Sequence, residues 1–512
     1  MSIAFSVVYF AVLAFLTSFG VHRLYLVVTC RANRGKLASR IAEAPFETST
    51  DSASLPIVTV QLPLFNESTV CERLIEATAE LDWPRDRLEI QVLDDSTDET
   101  TSIASACVER LRARGIDAVY IHRTNRVGYK AGALAHGLTT AKGELVAVFD
   151  ADFVPQPSFI RSIVSHFRDP KIAMVQTRWG HMNRDVSLLT KVQALQLDGH
   201  HLVENRARFG ADLLFNFSGT SGMWRVAAIA DAGGWQHDTL TEDLDLSYRA
   251  QLKGWRFVYR PDVVTPSEVP EEVSAVRAQQ YRWAKGTVQT FRKLMGTVLR
   301  SDLPLRQRVE AFFHMTPHFA YPLLVVLTVS LLPTLVLFPA TDSFHLLLID
   351  LPLLGATTGS LGAFYVEAES AQGRSKLAAV AKLPLLIAFG TGLAPYMSKA
   401  VFDGLRSMSG EFVRTPKHGA NGARYKARTD MPVAEVLLAL VSFASVVASI
   451  ENGNWFALPF AILFTLGYGY VALLVANEQS ERRRSAAWNR APRETPVSEP
   501  PPAQDISEVG AS

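Results

Sequence analysis

Cysteine is scarce: the 512 residues hold three, Cys30, Cys71 and Cys107, with no CxxC pair and no Cys/His spacing. This excludes a disulfide framework and a cysteine zinc site, leaving reduced core or boundary residues. Net charge is nearly absent as well, at +1, so no electrostatic footprint for nucleic acid exists. The twelve histidines include His200–His201 but no HExxH or similar ligand pattern, so a satisfied structural role is the expectation for that pair. Neither GxGxxG nor GxxxxGKS occurs, which removes the usual signatures of dinucleotide and P-loop sites. No internal repeat is visible.

What is present is apolar and blocky. Hydrophobic residues make up 48% of the chain, and the mean hydropathy is +0.11. "IAFSVVYFAVLAFLTSFG" is uncharged and close to the ~20 residues that a bilayer crossing needs. It lacks a basic n-region and an A-x-A cleavage site, which favours a retained anchor over a signal peptide. Four more spans are expected, at about His318–Ala340, Phe344–Val366, Pro432–Ile450 and Trp455–Ala476. Asp350 in the third is open to two readings, a functional membrane carboxylate or ordinary interfacial exposure.

Basic residues gather at Arg23, Arg31, Arg34 and Lys36, at Arg374 and Lys376, over Lys399 to Lys426 and over Arg482 to Arg484. The links "TDSF" and "ENGN" carry none. Five spans put every basic segment on the cytoplasmic side and both bare links outside. A sixth would export a basic segment, so the apolar stretch Leu383–Met397 is expected to lie in or re-enter the cytoplasmic interface. The organisation that follows is an N-terminal anchor over 1–29 and a cytoplasmic α/β domain with an interfacial helix over 30–310. Transmembrane helices occupy 311–370 and 431–478, separated by an interfacial helix and loop over 371–430. The end, 479–512, is Arg-rich and then Pro/Ser/Glu-rich, as in a disordered tail.

Between about Pro56 and Arg300 strands and helices alternate, which predicts a mostly parallel sheet. "PIVTVQLPLFNE", "LEIQVLDD", "IDAVYIHR" and "ELVAVFDADF" read as strands. Capping by Ser96, Thr97 or Asp98 starts the helix that follows the second of these, and Gly115 closes it. Ligands of such sheets sit beyond the carboxyl ends of the strands. Glu67, Asp94, Asp95, Asp150 and Asp152 all fall there. Several carboxylates converging on one crevice repel each other unless a cation or donor hydroxyls are present. An Asp-x-Asp beside other carboxylates suits a hard divalent ion holding a diphosphate.

The basic complement is "RTNRVGYKAGAL", with Arg123, Arg126 and Lys130 leading into a helix. A lysine there opposes the helix dipole, which a bound phosphate would compensate; a solvated basic loop is the equal alternative. Thr241, Glu242 and Asp243 open the helix of "TLTEDLDLSYRAQLKGW", where they are either N-terminal caps or the source of a general base. In "VRAQQYRWAKGTVQTFRK", Gln279, Arg282 and Trp283 share one face at i, i+3, i+4. An indole beside Gln and Arg suits a sugar ring, and a membrane-surface helix with an interfacial Trp is compatible with the same residues.

The motifs "VQLPLFNE", "VLDDSTDET", "GYKAGAL", "FDADF", "VQTRW", "FSGTSGMWR", "TEDLDLSYRAQLKGW", "QQYRW" and "FVRTPK" resemble membrane-embedded family 2 glycosyltransferases. Cellulose, chitin and hyaluronan synthases share the D, DxD, TED and QxxRW set, and the wording is most similar to cellulose-synthase-like mannan and glucomannan synthases. The resemblance covers about Pro56 to Lys417. "QQYRWAKG" and the tail after Ser480 depart from that pattern.

The resemblance implies a GT-A (Rossmann-like) α/β fold with a helical membrane domain, and inverting, processive β-1,4 transfer. GDP-mannose is the implied donor for a mannan or glucomannan. The alternatives are a UDP-glucose-dependent β-glucan synthase, a single-addition lipid glucosyltransferase of ceramide type, and a non-catalytic transporter or scaffold. It further implies Asp94 or Asp95 at the nucleotide base with Glu67 nearby, and Lys130 and Gln279 in the nucleotide-sugar site. Asp150 and Asp152 would hold the sugar nucleotide and Mg2+ or Mn2+, and Asp243 would be the catalytic base. Arg282 would face the leaving diphosphate, while Trp283, Gly219, Thr220 and Glu242 would line the acceptor end. Phe412, Thr415 and Lys417 resemble an FxVTxK gating loop, with Arg414 standing where that pattern has Val. Implied partners are the nucleotide sugar, a growing polysaccharide or lipid acceptor, membrane lipids and accessory export subunits, at a bacterial inner membrane.

Overall fold

A computed structural model describes residues 2–42, 54–337, 355–408, 410 and 431–490. Seven strands form one sheet: β1 Val58–Leu64, β2 Leu88–Asp94, β3 Ala118–His122, β4 Leu145–Val148, β5 Ile172–His181, β6 Gly222–Arg225 and β7 Arg256–Ser267. Their order is β3-β2-β1-β4-β6-β5-β7. All neighbours run parallel except β6, which is antiparallel to both β4 and β5. Helices cover the sheet, which is why Val58, Val60, Leu62, Ile90, Val92 and Val146 are fully buried in runs. The order reverses at β1/β4, so the crevice opens where those strands end. Asp98 accepts from the Thr100 N–H at 3.0 Å at the start of the helix Thr100–Ala113, while the N-cap position itself falls to Glu99 rather than to Ser96, Thr97 or Asp98.

Three helices build the crevice walls. They are α2 (Tyr129–Leu138), α3 (Glu242–Leu252) and the 28-residue α4 (Val273–Arg300). The N-terminal helix is α1 (Ser2–Ala32). After α4 come α5 (Leu305–Met315), α6 (Ala320–Leu337), α7 (Ser360–Ser370), α8 (Lys376–Arg406), α9 (Val433–Glu451) and α10 (Leu458–Arg490).

Among the described residues five helices are long and apolar enough to cross a membrane: Val7–Ala32, Pro317–Val336, Lys376–Arg406, Val433–Glu451 and Leu458–Glu481. The chain is a membrane protein on this composition. Of the expected span Phe344–Val366 only the part from Gly355 is described, and Asp350 lies outside the described residues. The stretch Leu383–Met397 differs from a short interfacial segment, because it sits inside the continuous 31-residue α8. Pro384 and Pro395 are accommodated within that helix.

At 1.5 Å per residue, α8 is roughly 46 Å long, more than the bilayer core. Both of its ends are nevertheless tied to the α/β domain. Near the start, Lys382 bonds Glu369 at 3.1 Å, and Glu369 also accepts from Arg184, which follows β5. Near the end, Asp403 accepts from Tyr281 of α4. The Gly404 carbonyl accepts from Arg292 and that of Ser407 from Gln289, at 3.0 and 2.9 Å. By contrast, α9 begins at Glu435, paired with Arg277 of α4 at 3.0 Å. It ends at Asn452, whose amide reaches the Leu335 carbonyl at 3.2 Å.

Candidate active site

The carboxyl ends of β1, β2 and β4 meet α2, α3 and α4 at one open cleft. Glu67, Asp95, Lys130, Asp150, Asp152, Gly219, Glu242, Asp243, Gln279, Arg282 and Trp283 all line it. Two expected residues stand behind the wall. Asp94 is fully buried, accepting from the Ser96 N–H at 2.9 Å and the Tyr120 hydroxyl at 2.6 Å. Thr220 is buried and accepts from the Asp150 N–H at 2.9 Å, so it positions that aspartate rather than facing the cleft. Phe412, Thr415 and Lys417 lie outside the described residues. The chain before them reaches Gly410, where an added Cβ would come within 2.9 Å of the cleft-lining Leu240.

Arg123 is used differently from a phosphate-facing residue. Its guanidinium forks onto Asp95, at 2.8 and 2.5 Å, and also donates to the Val127 and Tyr129 carbonyls. A bidentate pair of this kind fixes both partners, and it staples the 126–129 turn to the end of β2. That turn carries positive φ at Arg126, Gly128 and Tyr129, and it delivers Lys130 at the first turn of α2. Arg126 stacks 3.3 Å over the Phe65 ring at the cleft edge.

Charge alternates across the cleft floor. Lys130 pairs with Asp150 and donates to the Gly219 carbonyl at 2.9 Å. Burial works to lower the Lys130 pKa, but Asp150 and Glu242, with smaller help from Asp243, outweigh it and hold the ammonium charged. Burial lowers Arg282, opposed by Glu242, Asp150 and Asp243. Burial raises Glu242 against the pull of Lys130. Asp243 keeps part of its surface open to the cleft. Burial first, and then the charge of Glu242, push it up to about 7.

The local structure bears on the capping reading of Thr241–Asp243. Thr241 makes no side-chain cap bond; its hydroxyl meets Thr290 of α4 at 3.1 Å, while the Leu240 N–H donates to Gln289 at 2.9 Å. Asp243 Oδ1 accepts from the adjacent Leu244 N–H at 2.8 Å. The trio is therefore clamped on α4 with its carboxylates turned to the cleft. Gly219 has φ +83°, and a Cβ there would lie 3.0 Å from Asp243 Oδ2. Only glycine leaves the Asp243 carboxylate this approach.

Two features beside the cleft are not among the expected site residues. Gln176 is fully buried in β5 and organises the 218–221 turn, donating to the Thr220 and Ser221 carbonyls and accepting from the Ser218 N–H. Glu268, after β7, donates its N–H to Asp152 at 3.4 Å while its carboxylate takes Arg73 at 2.7 Å. His200 is held by Glu204 at 3.1 Å and Asn205 at 3.3 Å, a structural arrangement. The three cysteines are free and buried.

Asp150 and Asp152 fit one side of a divalent-cation site, with the ammonium of Lys130 marking an Asp150 oxygen as cation-binding. Among the described residues no group of three His, Cys, Asp or Glu side chains is arranged to hold a metal by itself. The remaining ligands would come from substrate phosphate and water, which is the habit of Mg2+ sites.

The sequence profile described as "Glycosyltransferase like family 2" matches residues 56–286, the segment that builds this cleft. Residues 56–286 are a family 2 glycosyltransferase domain. The chain is 46% identical over 255 residues to glucomannan 4-beta-mannosyltransferase 2 of Arabidopsis thaliana, covering 49% of this chain and 48% of that one. It is 43% identical over 256 residues to glucomannan 4-beta-mannosyltransferase 1 of Oryza sativa subsp. japonica, covering 49% of each. The chain thus spans about half the length of the relatives it matches. A solved mannosyltransferase from Pyrobaculum calidifontis, in complex with GDP-Man and Mn2+, is 22% identical with a TM-score of 0.46. That match covers 69% of this chain and 97% of the other. The glycosyltransferase domain has the mixed, Rossmann-like sheet of a GT-A fold.

Proposed function

We propose that the chain is an inverting, processive β-1,4-hexosyltransferase that makes mannan or glucomannan, with GDP-mannose as the favoured donor. The observation that carries the reading is Asp243, a carboxylate raised to about 7 and partly open to a cleft shared with Lys130 and Arg282. A base poised near neutrality is suited to proton transfer from a hydroxyl. The similarity to glucomannan 4-beta-mannosyltransferases supports the choice of sugar.

In this mechanism Asp243 takes the proton of the acceptor hydroxyl as its oxygen bonds to the anomeric carbon. The bond from that carbon to the diphosphate oxygen breaks, its electron pair leaving with the nucleoside diphosphate. Lys130 and Arg282 stabilise the departing charge in a partly dry cleft. Asp150 and Asp152 would hold Mg2+ or Mn2+, which when bound neutralises diphosphate charge. Asp95, Glu67 and Gln279 orient the donor. Trp283, Gly219 and Glu242 face the acceptor, and Thr220 acts through Asp150.

The catalytic domain lies on the cytoplasmic side, at a bacterial inner membrane, and α8 lies at the interface, its end tied to α4 by the Tyr281–Asp403 bond. The polymer leaves through the chain's own spans, with accessory export subunits as possible partners. The test is the full chain in lipid nanodiscs, supplied with labelled GDP- and UDP-sugars and a divalent cation, with the product sized and digested. A polymer from GDP-mannose that β-mannanase cleaves is expected. A polymer from UDP-glucose alone would replace the donor, and a single-sugar lipid would overturn processivity.

A further inference from the structure

Helix α5 takes no part in the cleft, and its two faces are the reverse of those of a helix that meets only water. The buried face carries Glu310 and His314 beside Ala311 and Met315. Glu310 accepts from the buried Arg208 at 3.0 Å and meets His22 of α1 at 2.7 Å. His314 Nδ1 meets the buried Tyr248 hydroxyl of α3 at 2.8 Å. The outward face carries Leu305, Val309 and Phe312 at i, i+4 and i+7, with relative exposures of 68%, 47% and 39%. A surface helix ordinarily turns its apolar stripe to the core and its charges to solvent. Single exposed apolar residues are common, whereas a stripe of them marks a contact.

The position of α5 names what covers the stripe. Phe313 stacks on His22 of α1 with centroids 4.4 Å apart and meets Phe19 edge-on at 5.9 Å, so α5 lies against an apolar helix long enough to cross a membrane. The next such helix starts at Pro317, two residues after α5 ends, which sets α5 at the depth where the chain enters the bilayer. Basic residues flank the stripe. Arg300 and Arg306 are exposed and Arg308 is half-buried. Arg306 donates to the Ala211 carbonyl and Arg308 to that of Leu299, at 3.0 Å for the second, bonds that hold the side chains without cancelling their charge. Against them stands Asp302, since Glu310 is turned inward and the nearby Asp212 is taken by Lys36 and Arg40.

We propose that α5 is a docking surface for anionic phospholipid. Leu305, Val309 and Phe312 sit at the boundary of headgroups and acyl chains, and Arg300, Arg306 and Arg308 receive the lipid phosphates. The inward ties of Glu310 and His314 keep the stripe facing the lipid. The proposal is independent of which sugar the cleft transfers.

The test places a bimane label on the full chain through Val309→Cys, with Leu305→Cys as a second position should the first fail to fold. The three native cysteines are buried, and unsubstituted chain labelled in parallel gives their background. Every nanodisc holds phosphatidylglycerol and phosphatidylcholine in equal amounts, and only one of the two carries brominated acyl chains, which quench a fluorophore that they touch. A basic residue at an anionic surface is worth roughly fivefold in partition, so quenching should be at least about twofold stronger when phosphatidylglycerol carries the bromine. Replacing Arg300, Arg306 and Arg308 together by Gln should keep the quenching and remove the preference. No quenching at either position overturns the surface, which is then covered by protein or meets water. Equal quenching by the two lipids overturns the anionic assignment, and a preference that survives the triple replacement overturns the role of the arginines.

Discussion

Asp243→Asn should separate chemistry from stability, because the residue is costly to the fold for the same reason that it is useful. Asparagine keeps the shape and cannot take a proton, so turnover should fall roughly 10²–10⁴-fold. Stability should move the other way. The folded state raises Asp243 from 3.8 to about 7, so it binds this proton more tightly than the unfolded chain does. The burden on the native state is therefore absent below the unfolded pKa, grows as pH rises, and is complete above about 7. At 1.36 kcal/mol per pKa unit the ceiling is roughly 4 kcal/mol. Partial contact with water and the shared titration with Glu242 reduce the expected gain to about 1–2 kcal/mol. Thermal unfolding in nanodiscs should show the variant more stable than wild type at pH 8, with the gap closing at pH 5. The wild-type rate should rise with pH through about 7. Near-normal turnover, or a stability gap that is the same at both pH values, would refute the reasoning.

Gly219→Ala places a Cβ 3.0 Å from Asp243 Oδ2 at φ +83° and should lower kcat at least tenfold, by about the margin of a misplaced base; an unchanged kcat removes Gly219 from the site. Arg277→Ala strands Glu435, both partners being buried, and should cost about 3–5 kcal/mol, read as a lower Tm. Replacing both by Met and Leu should recover most of it, and an unaltered Tm in the single variant would show that the pair does not join α4 to α9. EDTA should abolish transfer, and Asp152→Ala should weaken donor binding in Mn2+; a rate indifferent to EDTA excludes the divalent cation.

Much of the sheet was legible because its strands are apolar runs that end in acid. β1, β2 and β4 close on Glu67, Asp94–Asp95 and Asp150, and little but a crevice explains such endings. β6 was not legible: its four residues, Gly222–Arg225, have no period to read and pair antiparallel inside a parallel sheet. The extent of α8 was not legible, because a count of basic flanks places a segment without measuring its helix, and α8 runs through both Pro384 and Pro395. Charge bias put Leu383–Met397 at the interface, whereas the continuous helix that holds it is one of the five long and apolar enough to cross a membrane.

The site divides in the same way. Residues whose chemistry is expensive elsewhere stood out, as Asp150, Asp152, Asp243 and Lys130 did. Direction did not. Neighbouring residues at a strand end point to opposite sides, so Asp94 goes to Tyr120 and Asp95 to Arg123, a choice that no spacing encodes.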